Sequence, residues 1–103
     1  VSLTLPATVR TQAYIGGAFV DATNGDTFDS LAPATGRVIT QIAACSDADV
    51  DLAVASARAA FESGSWSAQS PAQRKVILMK LADLIEENAE ELAVTESIDA
   101  GKP

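Results

Sequence analysis

A mixed α and β chain, two β-hairpins followed by three α-helices, is the fold class that the sequence predicts, on three observations. Up to Ser46, short apolar runs are broken by Gly, Asn and Pro, the punctuation of strands and turns. Beyond Ser46, apolar residues recur at helical spacing. Of the 103 residues, 48% are hydrophobic and 20% charged, a composition that builds a core and excludes wholesale disorder.

Residues 1–10 carry little pattern and are interrupted by Pro6, so a loosely held tail is expected there. Tyr14-Ile15 and Phe19-Val20 flank Gly16-Gly17, and paired glycines supply the positive φ values of a tight hairpin turn. Asn24-Gly25 is a second turn signal. Thr27–Leu31 and Arg37–Ile42 then frame Pro33-Ala34-Thr35-Gly36, in which Pro presets φ and Gly takes a left-handed position.

The first helix starts at Ser46, an N-cap, with Asp47, Asp49 and Asp51 near its positive end and Val50, Ala53, Val54, Ala57 and Phe61 on one face. It ends at Ser63-Gly64. Ser70-Pro71-Ala72-Gln73 joins an N-cap, a first-turn Pro and a capping-box Gln ahead of a stripe from Ile77 to Ile85. Asn88-Ala89-Glu90-Glu91 repeats the capping pattern and opens a shorter helix, with Leu92, Thr95 and Ile98 inward and Gly101 and Pro103 closing it. Trp66, between Ser65 and Ser67, reads as an anchor for the connection between the first two helices.

Charge narrows the function classes. Seven Lys and Arg against 14 Asp and Glu leave a net charge of −7, so the chain offers no positive field for nucleic acid or an anionic membrane. The helical part holds most of the acids, in first turns or beside basic residues, as a solvated helix face would. With no histidine, imidazole acid–base catalysis, Ser-His and Cys-His pairs and histidine zinc sites are excluded. A single cysteine, Cys45, makes no internal disulfide and fits a reducing compartment, taken as the cytoplasm. No run reaches the ~20 apolar residues of a membrane span, and the first six residues lack the basic start of a secretory signal.

The individual candidates are few. Asp29-Ser30-Leu31 resembles a carrier-protein signature, in which a serine at a helix start takes a phosphopantetheine arm; here Ser30 falls in a strand-like stretch before Ala32-Pro33. Cys45 precedes a helix start, where a dipole favours a thiolate, but no base accompanies it, and an inert packing cysteine is expected. Asp99 lies in the last turn of the third helix, where the partial charge is already negative. It calls for a positive neighbour, either Lys102 or a hard cation held by oxygen ligands. None of the six glycines forms a phosphate-cradling loop.

Read in order, Tyr14–Val20, Ala32–Ile39 and Ser97-Ile98-Asp99-Ala100-Gly101-Lys102-Pro103 resemble the amino-terminal part of NAD(P)-dependent aldehyde dehydrogenases. Ala57–Phe61 and Leu81–Glu86 are similar to that family's first two helices, so the resemblance covers about residues 12–103, with residues 1–11 as a tail. The stretch from Gly64-Ser65-Trp66-Ser67 to Glu90-Glu91-Leu92-Ala93 is similar to bacterial members that oxidise γ-glutamylaminobutyraldehyde and related ω-amino aldehydes, which implies polyamine catabolism. Ala32-Pro33 departs from the family's usual Asn-Pro.

The resemblance implies an α/β parent enzyme with a Rossmann-like cofactor domain, NAD or NADP as cofactor, an aldehyde substrate and a homo-oligomer. It implies that a cysteine thiolate forms a thioester with the aldehyde carbon, that hydride leaves to the nicotinamide, and that a glutamate activates water. Those groups correspond to positions beyond Pro103, and Cys45 does not match the nucleophile's motif. It also implies a monovalent cation held by backbone carbonyls of Ser30 and Leu31 and by Asp99. This chain alone is therefore expected to be inactive, with apolar helix faces shaped for strands it does not supply and a tendency to self-associate. The rival is a self-contained acidic interaction or carrier module built around Asp29-Ser30-Leu31, whose core would be complete.

Overall fold

The computed structural model describes residues 3–7 and 9–103; residues 1, 2 and 8 of the expected tail lie outside the described residues. Strand β1 (Ala13–Ile15) pairs antiparallel with β2 (Ala18–Val20), Ile15 opposite Ala18. The turn between them is the expected glycine pair, at φ 63° and 81°, values that a Cβ would strain at both positions. Strand β3 (Thr27–Leu31) pairs antiparallel with β4 (Val38–Ala43) as a second, separate sheet. Ser30 faces Thr40 but Leu31 faces Val38, so Ile39 is an extra residue and the hairpin bulges there. The intervening turn closes with the Gly36 amide donating to the Ala32 carbonyl at 2.8 Å.

Helix α1 spans Asp47–Ser63, α2 spans Pro71–Glu87 and α3 spans Ala89–Ala100. The capping box of α2 is formed: the Ser70 amide donates to Gln73 Oε1 at 2.9 Å and the Gln73 amide donates to Ser70 Oγ at 3.2 Å. Asn88 corrects the expectation for α3. Its side-chain amide reaches back to the Leu84 carbonyl at 2.8 Å, closing α2, and makes no side-chain cap for α3. Only one residue separates the two helices, so one side chain serves the earlier end.

The tail is tied down where it meets the first hairpin. The Ala43 amide donates to the Thr11 carbonyl at 2.8 Å, and the Arg10 guanidinium lies 4.3 Å above the Phe19 ring, which itself meets Tyr14 edge-on at 4.9 Å. Helix α1 rests on β1, and α2 touches α3.

What is missing is a closed core. Among the described residues, only Ala22 (5% exposed) and Asp49 (2% exposed) are buried. The accessible surface is 7816 Å², against about 5,500 Å² for a closed globule of this mass. The radius of gyration is 17.1 Å, where a compact domain of this length has about 13 Å. The predicted apolar faces are present but uncovered: Phe61 on α1 is 65% exposed and Leu81 on α2 is 52% exposed. On α3, Thr95 and Ile98 turn partly inward as expected, while Leu92 stays exposed. Among the described residues no helix is long and apolar enough to cross a membrane.

Candidate functional site

Ser30 and Asp99, far apart in sequence, line one cleft of about 180 Å³ between the second hairpin and α3, together with Thr40 and Ile42 of β4 and Thr95 of α3. Two local features bring them together. The register shift opposite Ser30/Leu31 leaves Ile39 of β4, which also lines the cleft, as the extra residue of the hairpin. Gly101, at φ 72°, ends α3 against the hairpin turn, so close that an added Cβ would sit 3.0 Å from Pro33 Cγ.

Ser30 is half-buried and Asp99 exposed; Leu31 is exposed and is not among the residues lining the cleft. The Asp99 side chain takes part in no hydrogen bond or ion pair among the described residues, so Lys102 does not neutralise it there. Among the described residues no three His, Cys, Asp or Glu side chains gather to hold a metal ion; the charged residues lining the cleft are Asp99, Glu96 and Arg10.

The other candidates lose their roles on geometry. Ser30 sits inside β3 and opens no helix, which removes the carrier reading. Cys45 is exposed rather than packed, in the short connection between β4, which ends at Ala43, and α1. Trp66 is exposed as well; the α1–α2 connection is held instead by polar bonds, with Gln69 Nε2 donating to the Ser65 carbonyl at 2.7 Å and the Arg74 guanidinium to the Gln69 carbonyl at 2.6 Å.

Asp49 is the residue that composition and dipole arguments undervalued. Its Oδ2 accepts from the Ser46 amide at 2.8 Å and the Ser46 hydroxyl at 3.1 Å, and its Oδ1 accepts from the Thr23 amide at 3.0 Å. The Ser46 amide above all, and then the Thr23 amide and the two hydroxyls, hold the carboxyl below the usual carboxylate range, while burial acts in the opposite sense. The signal was the spacing Ser46-x-x-Asp49, a capping box with Asp in the third position.

The aldehyde dehydrogenase family pattern matches residues 19–103. The chain belongs to the aldehyde dehydrogenase family. It is 55% identical over 92 residues to an aminoacetaldehyde dehydrogenase of Pseudomonas aeruginosa, a stretch that is 89% of this chain and 18% of that relative. Among solved structures, the γ-glutamyl-γ-aminobutyraldehyde dehydrogenase of Burkholderia cenocepacia superposes with a TM-score of 0.84 at 42% identity, over 87% of this chain and 18% of that one. A P. syringae indole-3-acetaldehyde dehydrogenase mutant, solved with NAD+, superposes with a TM-score of 0.83 at 44% identity, over 88% of this chain and 18% of that one.

The chain thus spans about a fifth of the length of the aldehyde dehydrogenases it matches, and corresponds to their amino-terminal segment. Hairpins and helices follow the arrangement in those enzymes, which fits the open surface seen here and does not favour a self-contained module.

Proposed function

We propose that residues 12–103 form the amino-terminal part of the cofactor-binding, Rossmann-like domain of an aldehyde dehydrogenase, with residues 1–11 as a tail. The complete enzyme oxidises an aldehyde to a carboxylic acid with NAD or NADP, through a cysteine thioester, and works as a homo-oligomer in the cytoplasm. The observation that carries this reading is the family match over residues 19–103, supported by the superposition on enzymes that share the hairpin and helix order. The likeness to the aminoacetaldehyde and γ-glutamyl-γ-aminobutyraldehyde enzymes favours ω-amino aldehydes as the substrate class, and with them polyamine catabolism.

The cofactor does not fit the residues of this chain. Its glycines stand at turns and helix ends, with no glycine-rich loop opening a helix onto a pyrophosphate. Cys45 is exposed and has no histidine in the chain to serve as its base. These residues are scaffold for chemistry performed elsewhere.

The cation is a separate part of the proposal. Ser30 and Leu31 would offer backbone carbonyls and Asp99 its carboxylate, a hard-oxygen donor set suited to a monovalent ion. The shared cleft supports Ser30 and Asp99. Positive charge there would offset the negative end of α3.

The test has two arms. The 103-residue chain with NAD and short aldehydes is expected to form no NADH, and appreciable NADH would refute the assignment of chemistry to other residues. A polypeptide of the relatives' length that carries this segment is expected to reduce NAD with ω-amino aldehydes, and inactivity across an aldehyde panel would contradict the reading.

A further inference from the structure

Between β2 and β3 the chain crosses residues 21–26 without strand or helix. Two amides there are satisfied locally: Gly25 donates to the Ala22 carbonyl at 2.8 Å, and Asp26 to Asn24 Oδ1 at 3.0 Å. The Thr23 amide is not. It donates across 26 residues of sequence to Asp49 Oδ1 in the first turn of α1. The other carboxylate oxygen is occupied by the Ser46 amide and hydroxyl. A capping box needs only that second oxygen, so the bond to Thr23 is surplus to capping.

Around this carboxylate lie the buried positions of the described residues. Asp49 and Ala22, the residue before Thr23, are the two buried side chains among the described residues. Thr23 Oγ1 lies 3.4 Å from Ser46 Oγ, and the Ala44 amide donates to the Asp26 carbonyl at 2.9 Å, so the connection is stitched to the approach of α1 on both sides.

We propose that Asp49 is a latch: its carboxylate bridges the exit of the first hairpin to the amino end of α1 and holds that joint closed independently of whatever covers α2. Each oxygen serves a different chain segment, and charge-assisted hydrogen bonds of this kind are about twice as strong as neutral ones.

Amide hydrogen exchange on the full chain, read by NMR, tests this. In the unmodified chain the Thr23 amide is expected to exchange at least about tenfold more slowly than an open loop amide; exchange at the open-loop rate would overturn the latch. Asp49→Asn keeps one accepting oxygen and turns the other into a donor, which cannot accept from the amide it then faces, that of Thr23 or Ser46. Exchange at Thr23 or Ser46 is then expected to rise about tenfold or more while α2 amides stay within about twofold. Equal acceleration along the whole chain, or none at either amide, would show that Asp49 is not a local latch. The unmodified-chain measurement decides the matter even where the variant does not fold.

Discussion

Helices α1 and α2 are both 17 residues long and both begin at a serine N-cap, yet they end in opposite conditions. The start of α1 is clasped to the hairpin connection through a buried carboxylate, whereas α2 has no buried residue at all. The difference separates what local chemistry supplies from what packing supplies. Caps and turns define where a helix starts and stops, but most helical stability in proteins comes from burying an apolar face. In α2 that face is built and left open.

The largest effect should come from placing a charge on it. Leu81→Asp is expected to destabilise the complete enzyme by about 3 kcal/mol or more, as an unpaired buried carboxylate does, and to leave the denaturant melt of this chain alone almost unchanged. Equal losses in both would mean that the α2 face is already covered within this chain. Gly101→Val should cost about 1–3 kcal/mol in a denaturant melt, through the positive φ of that position and the close approach of Pro33. Ser70→Ala removes the N-cap of α2 and should lower stability by about 1 kcal/mol, read as lost helical circular dichroism on mild heating.

The narrowest effect is one of pH. The Asp49 carboxyl is depressed in the folded chain, so its contribution is fully present above the ordinary aspartate range near about 4 and is lost as pH falls through the depressed value. Thr23 and Ser46 amide shifts should therefore stay flat from neutral pH down to that range and move only below it. Movement between pH 6 and about 5 would break the account of the joint.

Much of the architecture was legible because its signals are local. Gly16-Gly17 set the first hairpin, Ser46 and Ser70 set two helix starts, and Gly101 set an end. Strand β4 runs Val38–Ala43 rather than Arg37–Ile42, a shift of one residue at each end. Asn88 misled because a residue between two abutting helices can cap either, and here its side-chain amide donates to the Leu84 carbonyl at the end of α2. Asp49 was visible as a first-turn acid, but its bond to Thr23 depends on a tertiary approach that no periodicity encodes. The apolar stripes of α1 and α2 were legible as stripes; whether they are covered depends on residues outside the chain's own pattern. For the candidate cation site, the charge at the end of the third helix singled out Asp99, and folding brought Ser30 but not Leu31 to the same cleft.

Small-angle X-ray scattering on the monomer peak of this chain, in line with size exclusion, tests the incompleteness of its core most directly. An open segment should scatter with a radius of gyration near the 17.1 Å of the structure. A monomer near about 13 Å, the value for a closed domain of this length, would mean that the chain seals its own apolar faces and would contradict the account.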